Sequence, residues 1–284
     1  MTRRPSLLAS VRTAFGSVTL VLVLLAHSAS SQNFSDVKPS PQQVAWQDLE
    51  FGVIVHFGTN TFLDREWGDG TADPKVFDPS HADPDQWVRA AKAAGAKYMV
   101  LVAKHHDGFC LWPTKQTEYS VKNSPWLDGK GDLVRSTSEA THTNGLKFGV
   151  YLSPWDRHEP KYNNPAEYDK YYLNELDELA SNYGELTEFW LDGAGSAGHV
   201  YNFPRIIEWL RMYQPNTVVF ADTALFEYGD ARWVGTKLAQ FHMKTGTSST
   251  AMAICGGDPL KWTLLCIPSI GSGIPATTRR LWMS

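Results

Sequence analysis

Several absences set the first limits on this 284-residue chain. It has three cysteines, Cys110, Cys255 and Cys266, and no CxxC pair. A disulfide framework or a zinc ribbon needs more than that; at most one bridge, Cys255 to Cys266, is left. No GxGxxG or P-loop follows any apolar run, which removes the usual nucleotide-binding fingerprints, and no HExxH is present. Positive charge is not in excess. The 26 Lys and Arg stand against 30 Asp and Glu, a net charge of −4. A phosphate binder usually carries a basic patch, so nucleic acid is not an expected partner. Past residue 31 no apolar run approaches the roughly 20 residues of a membrane span.

Aromatic residues, by contrast, are plentiful: 11 Trp, 11 Tyr and 13 Phe. A buried Trp needs a partner for its N–H. Such a supply suits a ligand with flat apolar faces and polar edges, as sugars have. A well-packed aromatic core uses the same residues.

The first 31 residues read as a secretory leader. Arg3, Arg4 and Arg12 precede an apolar run from Phe15 to Ala26, and small residues follow up to Ser31. The run is about 12 residues, short of a span. The expectation is a secreted or periplasmic protein, cleaved near residues 28–31, with no stable membrane anchor.

From residue 50 onward strands and helices alternate. Strands are predicted at Phe51–Phe57, Tyr98–Ala103, Lys147–Leu152, Thr187–Leu191 and Thr217–Ala221, and Arg232 opens a sixth. Helices are predicted at Pro84–Ala94, Leu133–Asn144, Tyr168–Tyr183 and Pro204–Tyr213. Asp83 reads as the N-cap of the first and Gly95 as its stop. Alternation of this kind predicts a parallel sheet in an α/β protein. Each strand ends in polar or aromatic residues: His56, Lys104-His-His-Asp107, Ser153-Pro-Trp-Asp156, Asp192 and Asp222. That edge is the active face of a (β/α)8 TIM-like barrel, the fold this pattern favours. Residues 58–82, rich in Gly, Asp and Pro, read as a loop over that face.

The candidate residues each keep a plainer alternative. Asp192, directly after an apolar strand and before Gly193, reads as a nucleophile or general base, or else as a helix cap or ion-pair member. His105 and His106 can contact sugar hydroxyls, ligate a metal together with His56, or sit in the core satisfied by backbone. Adjacent strand residues point to opposite faces, which argues against two neighbouring ligands on one ion. Glu66 beside Trp67 offers a bidentate acceptor and a stacking face, or a solvated charge run. Trp190 lies two residues before Asp192 and so shares its face; for it, Tyr151 and Trp155, core packing is the default.

Together these residues resemble the retaining α-L-fucosidases of glycoside hydrolase family 29. The pieces are Phe51-Gly-Val-Ile-Val-His-Phe-Gly-Thr-Asn-Thr-Phe62, Arg65-Glu-Trp-Gly-Asp-Gly70, Ala103-Lys-His-His-Asp-Gly-Phe-Cys-Leu-Trp112, Gly149-Val-Tyr-Leu-Ser-Pro-Trp-Asp156, Phe189-Trp-Leu-Asp-Gly193 and Arg232-Trp-Val-Gly235, in family order. The resemblance implies a barrel with Asp192 as nucleophile. It implies fucose contacts from His56, Glu66, Trp67, His105, His106, Tyr151, Trp190 and Arg232, a fucosylated glycan as substrate, and no metal or cofactor. The Arg-Glu-Trp-Gly-Asp-Gly and Arg-Trp-Val-Gly pieces are closer to the branch acting on α-1,3/1,4-linked fucose.

One departure stands out. The similar branch follows Arg-Trp-Val-Gly with Asn-Glu, and that Glu is the acid/base. Here Thr236 and Lys237 occupy those places. A lysine, with an ordinary pKa of ~10.4, is a poor proton donor to a leaving oxygen and a poor base thereafter at neutral pH. Asn-Glu codons read one base out of register give Thr-Lys, so the expected organisation is a leader at 1–31, a catalytic barrel over 32–235 and a frameshifted tail at 236–284 that leaves the barrel incomplete. The alternatives are a fucose-binding relic without turnover and a metal-dependent hydrolase on His56, His105 and His106.

Overall fold

The computed structural model describes residues 38–192, 199–221 and 228–232. The tail with Lys237, the leader, Gly193, Asp222, Cys255 and Cys266 lie outside these residues. Among the described residues six strands form one sheet: β1 (Gly52–Val55), β2 (Tyr98–Lys104), β3 (Lys147–Leu152), β4 (Leu186–Leu191), β5 (Val218–Ala221) and β6 (Ala231–Arg232). All neighbours are parallel, in the order 1-2-3-4-5-6. A doubly wound sheet reverses its strand order partway; this one does not.

Helices α1 (Pro41–Gln47), α2 (Thr59–Phe62), α3 (Pro84–Ala93), α4 (Leu133–Thr143), α5 (Pro165–Asn182) and α6 (Phe203–Tyr213) complete the described fold. Local chemistry sets several ends. Asp83 caps α3 by accepting from the Gln86 N–H, with Pro84 at the first position, and Asp132 caps α4 through the Arg135 N–H. Helix α5 starts three residues before the expected Tyr168, because Pro165 opens it. Helix α1, which sequence reading left out, is opened by a reciprocal Ser40–Gln43 capping box. The 58–82 segment is mostly loop, with α2 and a short 3-10 turn at Pro74–Val76. No described helix is long and apolar enough to cross a membrane.

The period of two along the strands divides the core. Val53, Val55, Met99, Leu101, Phe148, Val150, Phe189, Leu191 and Val219 pack against the helices. Ile54, Tyr98, Val100, Val102, Tyr151, Trp190, Val218 and Phe220 share the other face, with Trp46 of α1 among them.

One break in that period matters for the site. Val102 pairs with Tyr151, but Lys104 pairs with Leu152, so Ala103 is an extra residue in β2. A bulge of this kind re-aims the following side chain. It turns Lys104 toward α5, where its Nζ lies 2.5 Å from Glu175 and 3.0 Å from Asp156. All three side chains are buried. Burial pushes the ammonium toward neutrality, yet the two carboxylates outweigh it and hold its pKa above the ordinary lysine value. Tyr168, Tyr171 and Tyr172 surround the charge at 5.4–5.8 Å. Removing the cation strands two buried carboxylates. Lys104→Met is therefore expected to cost about 3 to 5 kcal/mol in a denaturant titration; a loss under about 1 kcal/mol contradicts this account of the cluster.

Candidate functional site

The site lies where the strands end. His56 follows β1, and His105 and His106 follow β2. Trp155 follows β3, Asp192 follows β4, and Tyr151 and Trp190 sit near the ends of β3 and β4. Their rings form a continuous wall. His56 and His105 meet edge-on at 4.4 Å, His105 lies 4.0 Å from His106, and His105 stacks on Tyr151 at 5.9 Å. Tyr151 stacks on Trp190 at 6.0 Å, and Trp190 stacks on Phe220 at 3.8 Å. The Tyr151 hydroxyl donates to Asp192 Oδ2 at 2.9 Å. That bond orients the carboxylate against a phenol of the same wall.

The two neighbouring histidines do not diverge as strand residues. The strand has ended at Lys104, and the chain turns through His105 to Gly108, where the Gly108 N–H bonds the His105 carbonyl. Gly108 has φ +83, and a Cβ there would collide with Asp156 Oδ1, so the turn needs glycine. Asp107 points elsewhere and accepts from the Thr59 hydroxyl at 2.5 Å. Among the described residues no three His, Cys, Asp or Glu side chains gather as a metal site.

Both histidines are neutral at pH 7. Burial lowers the pKa of His105, and His56 and His106 lower it further. Burial, with Arg157 second, brings His106 down to about 4. The tautomer of His106 follows from its partner. Ser153 Oγ donates to the Trp155 carbonyl at 2.7 Å, so it accepts from His106 Nδ1, also at 2.7 Å. Nε2 of His106 is then an acceptor, the form that binds a hydroxyl. The sequence places Ser153 in a strand-end cluster but gives it no role; its cue is a hydroxyl just past β3.

The loop carrying Glu66 and Trp67 is clamped from below. Arg157 donates to the Gly68 carbonyl at 2.6 Å and His158 to the Gly70 carbonyl at 2.7 Å. Gly68 packs so closely that a Cβ would come within 2.5 Å of Asn60 Oδ1 and 2.7 Å of Asp107 Cβ. The clamp brings Trp67 edge-on to His106 at 5.8 Å and to Trp155 at 6.2 Å, while half its surface stays exposed. Glu66 is exposed beside it. The Arg232 backbone lies at the end of β6, in register with Ala221.

The wall of neutral acceptors, aromatic faces and one oriented carboxylate can grip a small polyol and present an oxygen nucleophile to it. Neutral burial of His106 also predicts an acid response. Its folded pKa of about 4 lies below the unfolded 6.5, so the unfolded chain binds the extra proton between these values. The contribution is whole above pH 6.5 and lost as pH falls through 4, about 3 kcal/mol in all. In urea titrations from pH 7 to 4, His106→Asn should lose less stability than the parent; parallel profiles contradict the assignment.

Known proteins are similar to this chain in sequence and in fold. The alpha-L-fucosidase family profile matches residues 71–253. Alpha-L-fucosidase 1 of Arabidopsis thaliana is 46% identical over 200 residues, covering 69% of this chain and 39% of the plant protein. The crystal structure of a glycoside hydrolase 29 family member from an unknown rumen bacterium superimposes with a TM-score of 0.64 at 46% identity, covering 70% of this chain and 38% of that one. A Ruminococcus gnavus family 29 fucosidase in complex with fucose gives 0.63 at 32% identity, covering 72% and 46%. The chain thus spans about two-fifths of the length of these relatives. Family profile, sequence identity and structural superposition agree: the chain belongs to the alpha-L-fucosidase family of glycoside hydrolases.

Proposed function

We propose that this is an exported retaining exo-α-L-fucosidase acting on terminal α-1,3/1,4-linked fucose through a glycosyl-enzyme on Asp192, with a (β/α)8 barrel as its frame. The observation that carries the reading is the Tyr151–Asp192 hydrogen bond within the aromatic and histidine wall. The unreversed strand order supports the barrel, and the Arg3, Arg4 and Arg12 leader supports export. His56, His105 and His106, with Glu66 and Arg232, take the ring hydroxyls. Trp67 and Trp190 face the apolar side of the sugar and its C5 methyl.

In the first step an Asp192 oxygen attacks the anomeric carbon as the bond to the leaving oxygen breaks. In the second, water attacks that carbon, the Asp192 ester bond breaks, and the water's proton passes to solvent or a base. Family members protonate the leaving oxygen with a Glu where this chain has Lys237, so the first step here depends on the leaving group's own acidity. Glu188 is no substitute. It precedes Asp192 by four residues on one strand, ~13 Å along it, whereas retaining pairs stand about 5–5.5 Å apart.

An aryl α-L-fucoside with an acidic phenol is expected to give a burst approaching one phenol per chain and a fucosyl adduct on the Asp192 peptide by mass spectrometry. Asp192→Asn should abolish both. An adduct at another residue, or a burst that survives Asp192→Asn, overturns the mechanism. Fucose binding with no phenol released identifies the second reading, a fucose-binding protein without turnover, which Lys237 favours.

A further inference from the structure

Beneath the pocket β4 carries a carboxylate on the same face as Trp190 and Asp192. Glu188 is buried at the centre of the sheet. Trp46 of α1 donates its indole N–H to Glu188 Oε2 at 2.6 Å, and Trp190 donates its own to Oε1. The Tyr98 hydroxyl of β2 is a third hydrogen-bond partner. Two aromatic N–H groups on one carboxylate fix both rings. Trp190 is then held face to face with Phe220 and Tyr151, and Tyr151 orients Asp192.

We infer that Glu188 is a positioning residue for the pocket: its ionised carboxylate locks Trp190, and through Tyr151 the nucleophile, while its protonation loosens that wall. This inference rests on reading Trp190 and Asp192 as one site. An ionised carboxylate offers only acceptor lone pairs; a protonated one turns part of itself into a donor, which neither indole N–H can accept, so it competes with the two bonds that hold Trp46 and Trp190. Burial raises the Glu188 pKa to about 7, with Trp46 and Tyr98 pulling it back. The groups facing it carry no charge: Trp46 from α1, Gly149 in register on β3, Val218 in register on β5, and Tyr98, whose phenol burial and Glu188 itself keep protonated. Glu175, which burial also raises to about 7, lies on α5 against Lys104 and not among these groups, so the switch at this wall belongs to Glu188, inside the physiological range.

Tryptophan fluorescence of the full chain, titrated from pH 5 to 9 without sugar, tests this. One transition with a midpoint near 7 is expected. Glu188→Gln should remove it. Trp46→Phe should keep it but move the midpoint upward, since one donor that favours the ionised form is gone; what remains then reports Trp190. The double variant Trp46→Phe/Trp190→Phe should show none. Absence of the transition in the parent, or its survival in Glu188→Gln or in the double variant, overturns the inference. A structural role alone would not shift the midpoint in Trp46→Phe. Since no sugar is used, failure here is distinct from failure of the fucosidase reading.

Discussion

The ammonium of Lys104 sits in a dry shell with Asp156 and Glu175 as its counter-charges, and both principal loops of the site hang from that contact. His105 and His106 follow Lys104 directly. Trp155 precedes Asp156, and Asp156 Oδ1 also accepts from the His158 and Glu159 N–H groups. A bare cation there would be prohibitive; with two carboxylates and three tyrosine rings it becomes a joint between β2, the loop after β3 and α5. The bulge at Ala103 makes the joint possible. Without it Lys104 would face the sheet's other side, under the pocket, and the histidine pair would lose its turn.

Above that joint the chemistry is one of neutral acceptors around one oriented anion. Burial keeps His105 and His106 uncharged. Ser153 selects the tautomer that leaves Nε2 accepting. Trp67 supplies an exposed face because Arg157 and His158 hold its loop by backbone carbonyls. These are the features on which the proposed recognition of hydroxyls and an apolar sugar face rests. On the proposed mechanism Lys237 stands where the similar branch has its acid/base Glu, and leaving-group acidity then becomes the controlling variable.

Much of this was legible in the residues. Apolar runs with helical spacing between them located the strands to within a residue or two, and Asp83 and Gly95 punctuate the first helix with cap chemistry that acts locally. The period of two put Trp190 and Asp192 on one face, and the structure keeps them there. The misses have a common cause. Whether His105 and His106 converge depends on a bulge two residues earlier, which shows only in the pairing of β2 with β3. The partners of Lys104 lie 52 and 71 residues away, beyond any local pattern. Helix α1 is seven residues long and held by Trp46 reaching Glu188, 142 residues on. A glutamate inside an apolar strand was a visible irregularity, but its meaning needed the two indoles that converge on it.

The central claim is that this wall of residues recognises fucose. Calorimetric titration of the full chain with L-fucose, with D-glucose as the control, tests it most directly. The account predicts saturable one-to-one binding of L-fucose, none of D-glucose, and a loss of about tenfold or more in affinity on Trp67→Ala or His106→Ala, in line with the ~1.4 kcal/mol of a single good contact. Equal binding of both sugars, or L-fucose binding untouched by either substitution, would contradict it.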